Sequence, residues 1–256
     1  MQKIFLAYNK NIPIKKSWGQ NFLIDSNTID RIIEIINPKK NEEILEIGPG
    51  HGALTNKLIT LCKKLYAVEI DPLLCKELEE NKYDNLILLN EDILKWEYDL
   101  EKQNKIKIVG NLPYYISSPI IFKFLNNNYW EEMIIMLQKE VAQRIISTHN
   151  NKNYSRISVM CQTFCEIKYN MEISKNSFYP KPKVDSAIIS LKRKHTKIDI
   201  EQFSSFIKQA FSKRRKTLRN NFKGICNIDF LNDCSSKRAQ ELTVQEFTNL
   251  YKKKYI

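Results

Sequence analysis

Only six of the 256 residues are glycine, six are cysteine and three are histidine. Cys62, Cys75, Cys161, Cys165, Cys226 and Cys234 are too sparse for a disulfide framework in a chain of this length. Cys161 and Cys165 lie four apart on one face of an apolar helical segment and read as buried thiols. His51, His149 and His195 are scattered, so no metal centre is expected. No apolar run approaches the ~18 residues of a membrane span. The opening MQKIFLAYNKNIPIKK has neither a long apolar core nor a small-residue cleavage site, and residues 1–14 read as a tail. A cytoplasmic chain without membrane partners is the expectation.

Acid is also scarce, and unevenly so. The chain has 41 Lys and Arg against 29 Asp and Glu, a net charge of +12. Residues 193–256 hold 15 basic against 6 acidic side chains, which leaves 26 against 23 for residues 1–192. Solubility or genome composition would spread the excess evenly, whereas a basic end is the footprint of a polyanion binder. The densest cluster runs from Ser212-Lys213-Arg214-Arg215-Lys216 to Arg219, in a region predicted to be helical over about 199–211, 214–222 and 243–252.

The first 192 residues repeat strand and helix. Asp25-Ser26-Asn27 caps a predicted helix that runs to about Ile36. Glu43–Ile47 is a short apolar strand feeding Gly48-Pro49-Gly50-His51-Gly52-Ala53. A glycine turn there lets a ligand approach the backbone, with a helix N-terminus behind it. Leu65–Ile70 is a second strand with Glu69-Ile70-Asp71-Pro72 at its end, and Glu69 lies 21 residues after Gly48, near the offset at which an acid meets a ribose in nucleotide-binding sheets. Asn85–Leu89 ends in Asn90-Glu91-Asp92, and Lys105–Gly110 ends in Asn111-Leu112-Pro113-Tyr114. Helices are predicted at about 53–62, 72–80 and 118–126. A fifth strand is predicted over Glu131–Leu137, with a helix at Lys139–Ser147. A further helix at about Ser155–Glu166 and strands at Ile167–Ser174 and Val184–Leu191 follow, some of them antiparallel. This is an α/β chain with a parallel sheet and a ligand crevice at the strand C-termini.

The residues at those strand ends suit a particular ligand. Gly48-x-Gly50-x-x-Ala53 satisfies a loose dinucleotide fingerprint, so a nicotinamide oxidoreductase has to be weighed. Glu46, two residues before the first glycine, would repel a pyrophosphate, and Asp92 offers an acceptor for an adenine amine. A phosphate-free adenosine carrying a sulfonium fits better, as in S-adenosylmethionine. The rigid Asn-x-Pro-Tyr corner supplies an amide acceptor and a flat ring, which an exocyclic amine on a planar base requires. Taken alone, it reads equally well as a plain turn with a packed tyrosine.

Seven motifs then occur in one order: Gly19-Gln20-Asn21-Phe22-Leu23, Glu46 through Thr55, Val68-Glu69-Ile70-Asp71, Glu91-Asp92, Gly110 through Tyr114, Leu137-Gln138-Lys139-Glu140, and Pro182-Lys183-Val184-Asp185-Ser186. In these the chain resembles, from about residue 12 to its end, the ribosomal RNA adenine dimethyltransferases of the small-subunit, kasugamycin-resistance type. Large-subunit relatives of the macrolide-resistance type share the chemistry, and a non-catalytic assembly factor on the same fold is a third reading. The resemblance implies a Rossmann-like class I methyltransferase sheet in residues 1–192 and a small all-helical RNA-binding domain in 193–256. It implies S-adenosylmethionine as cofactor, held by Asn21, Leu23, Gly48, Glu69, Asp92 and Asn111. Asn111, Pro113, Tyr114 and Phe178 would form the catalytic corner, although Phe178 also reads as core. The implied reaction is dimethylation at N6 of two adjacent adenines in the 3′-terminal hairpin loop of 16S rRNA, within an immature 30S subunit, by a monomer. Tyr115 departs from the pattern, since the bacterial family often has Asn there.

Overall fold

A computed structural model describes residues 13–15, 18–97 and 105–255. Most of the expected N-terminal tail and Lys16-Ser17 lie outside those residues.

Elements follow in chain order. A two-residue strand β1 (Phe22–Leu23) precedes helix α1 (Ser26–Ile36). The Asp25 carboxylate accepts from the Thr28 N–H at 3.2 Å, and the helix ends on Asn37 in the left-handed region. Next come β2 (Glu43–Ile47), the short α2 (Thr55–Leu58), β3 (Lys64–Glu69), α3 (Pro72–Glu79), β4 (Leu86–Asn90), β5 (Ile106–Asn111), α4 (Ser117–Leu125) and β6 (Trp130–Gln138). Helices α5 (Lys139–Ile146) and α6 (Arg156–Phe164), strands β7 (Cys165–Ile173), β8 (Phe178–Tyr179) and β9 (Ser186–Arg193), and helices α7 (Ile200–Ala210), α8 (Leu218–Phe222) and α9 (Val244–Tyr255) complete the chain.

The main sheet has seven strands in the order β4-β3-β2-β5-β6-β9-β7, as a Rossmann-like class I sheet requires. Strands β2 to β6 pair in parallel, and β9 runs antiparallel to β6. Strands buried on both faces read as near-continuous apolar runs, which is why the strands expected at Glu43–Ile47 and Leu65–Ile70 are found, the second as Lys64–Glu69. The chain winds outward from β2 through β3 to β4, then restarts at β5 beside β2. The crevice of such a sheet opens at that reversal. There Ile47 is in register with Gly110. A methyl on Gly110 would stand 2.5 Å from the Ile47 carbonyl oxygen, so these two strands approach too closely for any other residue. Strands β1 and β8 form a separate two-stranded ribbon, Phe22 opposite Tyr179 and Leu23 opposite Phe178.

By compactness the chain forms two units: residues up to Lys139 with Lys168–Lys192, and Glu140–Ile167 with the chain from Arg193 onward. The expected boundary at 192/193 therefore differs from the compact units over 140–167. The physical reason is apolar. Phe164 of α6 meets Phe203 of α7 at 5.7 Å between ring centres, and Tyr154 meets Phe211 at 6.2 Å. The core stripe expected of Phe203, Phe206, Ile207 and Ala210 is buried. In this second unit the basic cluster is mostly a turn, and α8 is only five residues long.

Candidate active site

The cleft at the β2/β5 reversal is lined by Trp18–Leu23, the loop from Glu46 to Gly50, the ends of β3 and β4, and Asn111–Ile116. Its empty volume, open mouth included, is about 1070 Å³. Among the described residues its lining holds no lysine or arginine but contains Glu46, Glu69, Glu91 and Asp92. Six expected cofactor residues (Asn21, Leu23, Gly48, Glu69, Asp92 and Asn111) and two expected catalytic residues (Pro113 and Tyr114) all face this one cleft.

Glu69, at the end of β3, is 6% exposed. Its carboxylate accepts from the Gly50 N–H at 3.1 Å and the Asp71 N–H at 3.0 Å. Burial nevertheless outweighs these bonds, with the Asp71 charge adding, and raises its pKa above the ordinary range. Two pinned oxygens retain lone pairs for a vicinal diol. Glu46 is 2% exposed, and the Thr55 hydroxyl donates to it at 2.7 Å. Burial pushes its carboxyl up to about 7; Thr55 opposes this and the Glu69 charge adds to it. Asp92 accepts from the Leu94 N–H at 2.9 Å and so is held by its own turn. Gly48 adopts φ +66° between β2 and this acid-lined floor, a conformation that suits glycine.

The Asn-Leu-Pro-Tyr corner is held from several sides. The Asn111 Nδ2 donates to the Asn21 carbonyl at 2.9 Å, so its Oδ1 points the other way, without a hydrogen bond among the described residues. Asn21 in turn donates to the Gly19 carbonyl at 2.8 Å. The Pro113 carbonyl already accepts from the Ile116 N–H at 3.1 Å, whereas among the described residues the Leu112 carbonyl carries no hydrogen bond. The Tyr114 hydroxyl is 2.7 Å from Ser186 Oγ at the start of β9, which fixes the ring's direction, and burial raises its pKa. Phe178 stands apart. It is 3% exposed, packs in the core that includes Leu23 and Ile173, and is not among the residues that line the cleft. Its core reading is the one this arrangement favours.

Sequence reasoning missed one feature. Asp71, 0% exposed, accepts from Lys15 Nζ at 2.9 Å and Gln20 Nε2 at 2.9 Å, and it caps α3 through the Leu73 N–H at 3.1 Å. Lys15 also lies 4.1 Å from the centre of the Trp18 ring. The carboxylate thus ties the Gly19-Gln20-Asn21 wall to the end of β3. Burial alone would raise its pKa, but these partners together hold it below the ordinary value. The signal available in sequence was Asp71-Pro72, a capping pair, which says nothing of a partner 51 residues away.

In the second unit, Lys213, Arg215, Lys216, Arg219 and Lys223 are exposed and make no ion pair among the described residues. Arg214 is engaged, donating to the Lys152 carbonyl and to Gln240. Buried thiols account for four of the cysteines, and burial pushes Cys165 up to about 12.

Comparison with known proteins agrees with this geometry. The family model described as ribosomal RNA adenine dimethylase matches residues 11–254. A ribosomal RNA small subunit methyltransferase A from Mycoplasma mobile is 45% identical over 219 residues, covering 84% of this chain and 85% of that protein. A dimethyladenosine transferase from Plasmodium falciparum superposes with a TM-score of 0.80 at 29% identity, covering 90% of this chain and 95% of that one. The 23S rRNA methyltransferase ErmE superposes with a TM-score of 0.69 at 26% identity, covering 91% of this chain and 98% of that one. A match across nearly the whole length, joined to an acid-floored cleft and an Asn-Leu-Pro-Tyr corner at its mouth, leaves one conclusion: this chain belongs to the ribosomal RNA adenine dimethylase family.

Proposed function

We propose that this chain uses S-adenosylmethionine to dimethylate N6 of two adjacent adenines in the 3′-terminal hairpin loop of 16S rRNA within an immature 30S subunit, acting as a cytoplasmic monomer. No helix among the described residues is long and apolar enough to cross a membrane. The observation that carries the reading is the Oδ1 of Asn111, without a hydrogen bond among the described residues, aimed by the Nδ2 bond to Asn21 and set in an acid-lined cleft that holds no lysine or arginine among those residues.

The donor set fits the cofactor. Glu69 and Asp92 offer acceptors for ribose hydroxyls and an adenine amine, and buried carboxyls favour a sulfonium while disfavouring the pyrophosphate of a nicotinamide dinucleotide. When bound, S-adenosylmethionine supplies an electrophilic methyl. The chain's own task is to make an aromatic amine nucleophilic. An adenine extruded into the cleft would stack on Tyr114, whose ring Ser186 holds in place. Asn111 Oδ1 accepts one N6 hydrogen. The Leu112 carbonyl, rather than the occupied Pro113 carbonyl, accepts the other. These acceptors favour a more tetrahedral nitrogen whose lone pair is freed from the ring. As N6 gains positive charge it becomes acidic and sheds a proton without a dedicated base. The monomethylated amine returns with one hydrogen fewer, so Asn111 and Leu112 then compete for a single donor.

The small-subunit assignment over the large-subunit one is supported by the 45% identity to a protein named ribosomal RNA small subunit methyltransferase A, against 26% to the 23S rRNA methyltransferase ErmE. The exposed cations Lys213, Arg215, Lys216, Arg219 and Lys223 would contact RNA phosphates, which gives affinity without reading sequence. The test is incubation with methyl-labelled S-adenosylmethionine and a mixture of immature 30S particles and large-subunit RNA, followed by mapping of modified adenines. Asn111→Ala is expected to lower single-turnover transfer by ~10²–10³, the usual cost of one such acceptor, with cofactor affinity falling far less. Label in large-subunit RNA alone would overturn the substrate. Undiminished transfer by the variant would overturn the role of Asn111, and binding of the particle with no transfer at all would favour the assembly-factor reading.

A further inference from the structure

The corner carries one aromatic ring that the mechanism does not use. Tyr114 turns its hydroxyl onto Ser186, while Tyr115, the next residue, is 57% exposed at the mouth of the same cleft. Among the described residues its hydroxyl has no hydrogen-bond partner and its ring meets no other ring or cation. An exposed side chain of this kind is usually mobile, but here the backbone beneath it is fixed. The Ile116 N–H closes onto the Pro113 carbonyl at 3.1 Å, and the Ser117 hydroxyl donates to the Tyr114 carbonyl at 3.2 Å. The ring is also propped from one side. A Cβ built on Gly19 would lie 3.4 Å from Tyr115 Cδ1 and 3.5 Å from Cε1, so the ring rests against the glycine backbone, which has φ +64°. Rigid backbone below, a glycine support on one side and solvent on the other describe a shelf. It lies one residue from the ring on which the target adenine would stack.

Extruding a base strips its neighbour of a stacking partner, and every nucleobase offers a π face. We propose that Tyr115 is a stacking shelf for the nucleobase adjacent to the target adenine, so that the cleft mouth takes up a single-stranded dinucleotide rather than an isolated base. The proposal rests on the reading of this cleft as an rRNA adenine site and deepens it: Tyr114 seats the reacting base and Tyr115 its neighbour. Such a shelf holds the loop while the two adenines exchange places. Its contribution falls on RNA binding, with the methyl-transfer step left largely intact. Tyr115 is thus a positioning residue.

The test uses the full chain and an RNA hairpin whose loop carries two adjacent adenines, with 2-aminopurine at either loop adenine in turn. Stacking on tyrosine quenches 2-aminopurine, so binding of wild type is expected to quench the neighbour position. Tyr115→Ala should abolish that quench and Tyr115→Phe should restore it. In methyl transfer, Tyr115→Ala is expected to raise the KM for RNA by about 5- to 150-fold, the range seen when a base loses an aromatic partner, with kcat and S-adenosylmethionine affinity nearly unchanged. The penalty should vanish on a hairpin in which the neighbour is abasic. A full quench by Tyr115→Ala at both positions, an unchanged KM, or an equal penalty on the abasic hairpin would overturn the shelf. Because the quench needs no catalysis, quenching by wild type without methyl transfer would overturn the enzymatic reading and leave the shelf standing.

Discussion

Glu46→Gln isolates the electrostatics of the cleft floor. Glu46 is buried at the end of β2, with the Thr55 hydroxyl at 2.7 Å and the Glu69 charge nearby, and its carboxyl titrates at about 7 against an ordinary 4.5. Between those values the native protein holds a proton that the unfolded chain has released. The contribution is therefore fully present below about pH 4.5 and is lost as pH rises through about 7. The displacement from 4.5 to about 7 corresponds to roughly 3 kcal/mol of stability. Glutamine keeps the shape and the acceptor for Thr55 but cannot ionise. Urea unfolding at about pH 5 and about pH 8 is the assay. Wild type should lose roughly 2–3 kcal/mol more than Glu46→Gln between the two. The same buried carboxyl predicts a binding effect: a cationic cofactor beside it favours ionisation, so affinity should climb with pH towards about 7 in wild type and stay flat in the variant. Parallel stability curves for the two proteins would refute the account of a protonated Glu46.

Three further outcomes follow from the same geometry. Gly110→Ala drives a methyl to 2.5 Å from the Ile47 carbonyl at the centre of the sheet, and it should cost roughly 3 kcal/mol or more, read as a fall in melting temperature. An unchanged melting point would mean that β2 and β5 can part at no cost. Asp71→Asn keeps the α3 cap but removes the charge that Lys15 and Gln20 share; wild type should lose this contribution as pH falls through the depressed Asp71 value, while the variant has none to lose. It should also weaken S-adenosylmethionine binding, measured by calorimetry, and unaltered affinity would show that the Gly19–Asn21 wall holds itself. Replacing Arg215, Lys216 and Arg219 by glutamate should weaken RNA binding and lower its salt slope by roughly 0.7–0.9 for each phosphate no longer neutralised, and a full slope would move the RNA surface elsewhere. This charge swap is a better probe than deleting residues 193–256, because the deletion would remove Phe203 from against Phe164 and leave the apolar side of α6 bare.

The sheet and the cleft were legible because their information is local. A buried parallel strand announces itself as an apolar run, and the residue at its C-terminal end faces the crevice whatever the rest of the chain does. Gly48, Glu69, Asp92 and Asn111 each occupy such an end, so four short segments predicted one site. Less legible were helix bounds and several pairings between residues far apart. The helix expected over 53–62 shrinks to Thr55–Leu58, with turns on either side, and the basic helix expected over 214–222 to Leu218–Phe222. Phe22–Leu23 pairs with Phe178–Tyr179 more than 150 residues on, a match that no local pattern announces. The compact units depart from the expected 192/193 boundary for the same reason. The helical character of 155–166 was plain, but its partners, Phe203 among them, lie some forty residues later, where chain order does not reveal them. Tyr115 belongs to both categories. Its departure from the family pattern could be read directly, yet only the placement of Gly19 against its ring gives that departure a physical meaning. Chemistry that depends on which atoms meet the ligand can be written in contiguous residues, whereas packing that depends on which surfaces meet each other cannot. In this chain that difference separates the strand-end residues that gather at one cleft from the elements whose bounds differ from expectation.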